Sequence, residues 1–194
     1  MTDPLFSSVN SSVPQYALGG LSAVFIQWLQ DNLENAAAEL NTRPFIFDVQ
    51  GLSVATPGTL VETTLYSSTI PGGNLQGLGY YTRAKFFGTT SGNANNKTLR
   101  VYIGGTKIFD SGVFGGASKD WLIDCSIPLV DTTHENCISR GTINGVGNLV
   151  QFISIGLDFS ADQILSFTGQ NSVASAADIV LKGVHVEIGK SPNV

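Results

Sequence analysis

Between Thr59 and Gly105 the chain passes through three stretches of strand character, Leu60–Ile70, Leu78–Gly88 and Thr98–Ile103. Two polar turns rich in Gly and Asn, Pro71–Gly77 and Thr89–Lys97, separate them. Apolar and polar residues alternate, with Leu99, Val101 and Ile103 set against Arg100 and Tyr102. A period of two sends one set of side chains into a core and the other toward water. The β-branched and aromatic content suits a pleated, half-buried surface.

The pattern extends along the chain. Phe45–Val49 (FIFDV) is a short alternating strand, and Gln50–Gly58 reads as a turn-rich connector. Lys107–Val113, Trp121–Leu129, Glu135–Ile143 and Gln163–Thr168 are further strands. Trp121, Ile123, Cys125 and Ile127 share one face. Asn144–Asn148 carries an Asn-Gly hairpin signal. Leu149–Ile155 is apolar enough to predict burial on both sides. Asp178–Ile188 closes the domain, with Val180, Lys182, Val184, Val186 and Ile188 on alternating sites. Eight or more strands with no helix between them predict an all-β sandwich or barrel. With 194 residues the chain can bury one sizeable core.

The period changes between Tyr16 and Leu40. Leu18, Leu21, Phe25, Trp28 and Leu29, then Leu33, Ala36 and Leu40, recur at three- and four-residue steps. That spacing is one face of a helix starting near Leu21, with Gln27, Gln30, Asp31, Asn32 and Glu34 on its polar side. Such a stripe must lie on its own β domain, on copies of itself or on a membrane. The polar side lacks the Lys and Arg of an interfacial membrane helix, which places membrane contact last. Asn41–Pro44 ends the helix, because the residue before a proline avoids helical backbone. Ahead of it, Met1–Gln15 reads as an extended arm carrying Leu5, Phe6 and Val9. The organisation expected is an arm and helix over 1–44, for anchoring or oligomerisation, and a sandwich over 45–194.

Composition narrows the function. Charged residues are 13% of the chain, and the net charge is −5. The ten Lys and Arg form no run. A nucleic-acid partner needs a basic face to displace counterions, so none is expected. An anionic membrane is disfavoured for the same reason. The N-terminus MTDPLFSS lacks the basic start of a secretory signal. Cys125 and Cys137 are the only cysteines, and their spacing matches neither CxxC chemistry nor a zinc site. They are expected as free, buried thiols, although two cysteines on adjacent strands could face each other.

No catalytic constellation emerges. GxSxG, HExxH and the phosphate-cradling GxxxxGK[ST] motif are missing. His134 lies in a polar turn, and His185 falls on the strand face opposite Val184 and Val186. A glycosidase pair would have to come from Asp110, Asp120, Asp124, Asp131 and Glu135. Trp121 and Tyr80–Tyr81 could stack on sugar rings, but such aromatics more often fill a core or an interface. The Asn-rich turn SGNANNK (Ser91–Lys97) could hold calcium or sugar hydroxyls, against the simpler reading of a self-bonded turn. The expectation is no enzyme activity, no cofactor and no metal.

One long stretch carries a resemblance. TLYSSTIPGGNLQGLGYYTRAKFFGTTSGNANNKTLRVYIGGTKIFD, with ADQILSFTGQNSVASAADIVLKGVHVEIG near the end, resembles the β-sandwich module of many bacteriophage virion proteins. That module has a strand ending in TIPAG, then TxNNANxKTLRVxxGG, then a TGQ turn, an Ala-rich loop and an Asp before a last strand. The likeness covers about Thr59 to Gly189. Ala117–Asn148 and the Tyr16–Leu40 helix have no counterpart in it. It implies a jelly-roll sandwich that assembles as trimers on phage fibres or capsids. The expected function is a homotrimeric capsid decoration or cement protein. Its partners would be other copies and the major capsid protein, and its place the virion, assembled in the host cytoplasm. The alternative is a receptor- or glycan-binding fibre tip. The residues expected to make the oligomer or capsid contact are Leu5, Phe6, Leu18, Leu21, Phe25, Trp28 and Leu29.

Overall fold

The computed structural model describes residues 23–42, 45–73, 78–129, 135–144 and 147–190. The chain divides into two compact units, Met1–Arg43 and Pro44–Val194.

The first unit contains helix α1, Ala23–Thr42. Its one-sided apolar spacing makes it amphipathic, and Asn32 Nδ2 donates to the Trp28 carbonyl at 2.7 Å on its surface. No acid sits in its first turn and no base in its last, so nothing there complements the helix dipole.

Among the described residues the second unit contains ten strands. They are β1 (Phe45–Ala55), β2 (Thr63–Ile70), β3 (Tyr80–Thr90), β4 (Lys97–Ile103), β5 (Thr106–Asp110), β6 (Asp120–Pro128), β7 (Glu135–Ile143), β8 (Gly147–Ile155), β9 (Gln163–Asn171) and β10 (Ile179–Lys190). They form a six-stranded sheet in the order β1-β10-β3-β6-β7-β8 and a four-stranded sheet in the order β2-β9-β4-β5. All pairings are antiparallel. Set aside the β7–β8 hairpin, and what remains is two four-stranded sheets, 1-10-3-6 and 2-9-4-5. That interleaving is the double Greek key of a jelly roll. The hairpin widens one sheet and falls largely within the stretch for which the resemblance offers no counterpart.

Alternation places the core where the sequence requires it. Trp121, Ile123, Cys125 and Ile127 of β6 are buried, as are Leu99, Val101 and Ile103 of β4. Phe167 of β9 stacks on Phe86 of β3 at 5.2 Å between centroids and on Trp121 of β6 at 5.1 Å. This three-ring stack ties the sheets together at their centre. Gly88 is required beside it, because a Cβ there would strike the Val180 carbonyl and the Trp121 indole.

Three sequence expectations change. The connector from Gln50 is strand as far as Ala55, because β1 keeps pairing with the twelve-residue β10 across irregularities at Ile46/Asp48 and Gly51/Val54. The alternation of β10 also changes phase. A register shift between Leu181 and Gly183 adds one residue, so Ile179 and Leu181 point inward before it, and Val184, Val186 and Ile188 after it. Val180 and Lys182 therefore lie on the opposite face from Val184. Finally, β8 is not buried on both sides. It is the last strand of its sheet, with Val150 50% and Phe152 74% exposed.

The β7–β8 hairpin bends toward the four-stranded sheet. Gln151 Oε1 accepts from the Asp110 N–H at 2.9 Å, and Gln151 Nε2 donates to the Asp110 carbonyl. Gly141 of β7 lets the Phe109 ring of β5 lie against its backbone, where a Cβ would clash.

Candidate functional site

On α1 the side chains of Phe25, Trp28, Leu29 and Leu33 are all exposed, Trp28 the most at 57%. Phe25 and Trp28 stack at 5.8 Å with an interplanar angle of 27°. These four residues sit at helical spacing, so they form one continuous apolar strip. Gln27 and Asp31 hydrogen-bond across one turn at 2.8 Å. Among the described residues, no helix is long and apolar enough to cross a membrane. Of the seven contact residues expected from sequence, Phe25, Trp28 and Leu29 are in this strip. Leu5, Phe6, Leu18 and Leu21 lie outside the described residues.

The outer face of the six-stranded sheet is a second surface. Strand register aligns Phe87 with Leu122, and Lys85 with Asp124 and then Arg140 and Val150. The next row runs from Arg83 to Ser126, Ile138 and Phe152. Arg83 lies 3.4 Å from Asp124 and 3.9 Å from Glu187. Both ion pairs are partly exposed and contribute little to stability. Phe87, Leu122, Val150 and Phe152 are exposed among these charges. His185 faces this side, opposite buried Val184 and Val186. At one end of the face a depression of about 490 Å³ is lined by Leu78, Tyr81, Arg83, Ser126, Pro128 and Glu187, among others.

The Asn-rich turn bonds partly to itself and partly to an acid far along the chain. Its hub is Asp178, a buried carboxylate just before β10. Asp178 accepts from Ser91 Oγ and Ser175 Oγ at 2.9 Å, from Asn95 Nδ2 at 3.0 Å and from Asn93 Nδ2. Lys97 Nζ donates to Asn93 Oδ1 at 3.0 Å and to the Asn95 carbonyl at 2.7 Å. Burial alone would raise the Asp178 carboxyl, but the hydrogen bonds from Asn95, Asn93, Ser175 and Ser91 outweigh it and hold it below the ordinary carboxylate range. Burial pushes the Lys97 ammonium down from its ordinary value, opposed by Asp178. The donors that might have served a ligand are thus spent on locking two loops to one strand end.

The outer side of the four-stranded sheet carries a comparable network. Arg100 joins Glu62 at 2.6 Å and Asp110 at 3.1 Å. Glu62 also accepts from Tyr102 Oη at 2.9 Å, and Lys107 reaches Asp110 at 2.6 Å. Burial would raise the Asp110 carboxyl, but bonds from Lys107, the Gly112 N–H and Arg100 bring it below its ordinary value.

Asp110, Asp120 and Asp124, the singled-out acids whose side chains are described, do not converge. Asp110 is on β5 of one sheet, whereas Asp120 and Asp124 are on β6 of the other. Asp120 and Asp124 are four residues apart on one strand, about 13 Å at strand rise. That exceeds the roughly 5–9.5 Å a glycosidase pair requires. Asp131 and His134 lie outside the described residues. No group of three or more His, Cys, Asp or Glu able to hold a metal occurs among the described residues. Cys125 and Cys137 are free and buried. Burial raises both thiols, which makes them poor nucleophiles. Cys137 Sγ lies 3.3 Å from Ser139 Oγ. Trp121 fills the core, while Tyr80 and Tyr81 border the depression, with Lys190 Nζ 5.4 Å from the centre of the Tyr80 ring.

No protein-family model matches the sequence, and no curated protein matches it. Among solved structures the chain is similar to dimeric latent PorU from Porphyromonas gingivalis, with a TM-score of 0.39 and 12% identity over 78% of this chain and 13% of that one. It is also similar to the infectious bursal disease virus Gx strain structure, with a TM-score of 0.32 and 16% identity over 79% of this chain and 34% of that one. The Gt strain structure gives 0.28 and 17% over the same shares. The chain therefore spans far less than two thirds of each of these proteins. At these scores the likeness supports no functional argument, and the jelly-roll assignment rests on strand order.

Proposed function

We propose that the chain is a structural protein of a bacteriophage particle, a homotrimeric decoration or cement protein that binds the major capsid protein and acts by adhesion, without catalysis. The observation that carries this reading is the exposed Phe25–Trp28–Leu29–Leu33 strip on the helix of a chain whose other unit is a jelly roll. A helix of this kind is stabilised mainly by packing its apolar face. Three copies packed along a common axis, or one copy laid on a capsid subunit, would cover it. Phe25 and Trp28 are about half exposed, so covering each would bring roughly 1–1.5 kcal/mol. The TIPGG and NANNKTLRV turns support the phage assignment. The low share of charged residues fits a surface covered by neighbours. The proposed location is the virion, assembled in the host cytoplasm, with neither nucleic acid nor membrane as a partner.

The test is co-sedimentation with phage capsids. Intact protein pellets with capsids that lack their decoration, and Phe25→Ser/Trp28→Ser stays in the supernatant while its β unit remains folded. Equal binding by both proteins would sink the helix-anchored reading.

The depression near Tyr81 favours a second reading, a glycan-binding fibre tip. An aromatic ring beside Arg83, Glu187 and Ser126 matches the mixture of stacking and hydrogen bonding by which sugars are held. Tyr81→Ala abolishing binding to host-surface glycans would support it, and no binding to such glycans by the intact protein would reject it.

A further inference from the structure

A β-sandwich has four sheet edges, and unpaired edges template association unless they are guarded by bulges, charges, short length or a cover. Three of the edges here are guarded. β1 has two register irregularities and carries Asp48. β2 has one irregularity, between Thr64 and Tyr66. β5 is five residues long, carries Lys107 and Asp110, and is latched at Asp110 by Gln151. Among the described residues, β8 has none of these guards. It pairs with β7 through nine consecutive residues without a shift, and its sequence GNLVQFISI contains no charge and no proline.

We infer that β8 is a self-association edge that pairs antiparallel with β8 of a second copy, joining two six-stranded sheets across a two-fold axis. Three features select a second copy as the occupant. An uncharged strand meets its own copy without like-charge repulsion, which directly opposed charges would impose. Full overlap of Gly147–Ile155 with itself places the axis at its middle residue, Gln151. That register sets Val150 opposite the partner's Phe152, and Phe152 opposite the partner's Val150. These are the two most exposed apolar side chains of the strand, and both lie on the outer face. Antiparallel pairing of a regular strand thus brings the apolar residues together on the face where each is otherwise left in water. Val150 and Phe152 each flank the axis by one residue, so the cross-strand cluster has four members and matches the aromatic–β-branched pairing that stabilises sheets.

This contact is separate from the helix strip. It does not depend on the virion reading, and it predicts a two-fold interface in addition to any three-fold one. A single strand pair is small beside a standard interface of roughly 800 Å² per partner, so its association is concentration-dependent.

The test uses the intact chain and follows hydrogen exchange of the β8 amides and sedimentation as concentration rises. Wild-type β8 amides gain protection with concentration, about tenfold or more. Val150→Lys/Phe152→Lys shows no such gain, while its core amides stay protected. The same gain persists in Phe25→Ser/Trp28→Ser, which separates this interface from the helix. A second variant, Val150→Cys/Phe152→Cys, forms a cross-linked dimer on mild oxidation, with the native Cys125 and Cys137 buried and uninvolved. Protection of β8 that is present at every concentration would assign the edge to a segment of the same chain and overturn the inference. So would slow-exchange profiles that coincide for wild type and the lysine variant, or a cysteine variant that stays monomeric when oxidised.

Discussion

Gln151 hydrogen-bonds both backbone groups of Asp110, taking the N–H with its carbonyl and giving its own N–H to the main-chain oxygen. One side chain thereby imitates a strand partner and closes the exposed edge of β5. The β7–β8 hairpin is thus fastened across the sandwich as well as along its own sheet.

Gln151→Ala removes both bonds at once. The expected loss is about 1–3 kcal/mol of unfolding free energy, measured by urea denaturation. The Asp110 amide should exchange faster than the amides of β4, which the substitution leaves untouched. Unchanged exchange at Asp110 would mean that the hairpin is held by other contacts.

Phe167 is the ring shared by both sheets. Phe167→Ala should cost about 3–5 kcal/mol, because it leaves a cavity between Phe86 and Trp121. Phe167→Leu should cost less, since it refills part of the space. Fluorescence of Trp121 during denaturation reports the loss directly. A cost below about 1 kcal/mol for the alanine variant would remove the stack from the centre of the core.

Acid sensitivity follows from Asp178 and Asp110. Both carboxyls titrate lower in the folded chain than in the unfolded chain. Their contribution is complete above the unfolded value of about 4 and is lost as pH falls through the folded values. Asp178→Asn leaves donors from Ser91, Asn93, Asn95 and Ser175 facing an amide, at a cost of about 2–4 kcal/mol near neutral pH. It should also flatten the acid limb of the stability profile. A variant with the same acid slope as wild type would contradict the role given to this carboxylate.

Most of the strands were legible because alternation reports the burial of a half-exposed sheet directly, as in Leu99 to Ile103 and Trp121 to Ile127. The jelly-roll order was expected only by resemblance, since pairing partners as distant as Lys97 and Asn171 leave no local mark. The β10 bulge leaves no mark in the sequence, because one inserted residue inverts a pattern without altering its composition. Leu149–Ile155 misled for a related reason. An apolar run announces that contact is wanted, but does not say whether the chain itself supplies it. The Asp178 hub had one signal, an acid placed directly before an apolar strand, but three of its four donors come from a turn about 85 residues earlier. The helix strip was readable because its spacing is local.

The central claim is that this chain acts by binding copies of itself through apolar surface. Sedimentation equilibrium of the intact protein tests it most directly. The account predicts a smallest stable species of three times the 20.5 kDa chain mass, lost in Phe25→Ser/Trp28→Ser, which is a single chain at low concentration and associates only through β8 as concentration rises. A wild-type protein that remains one chain at 20.5 kDa up to high concentration would contradict it.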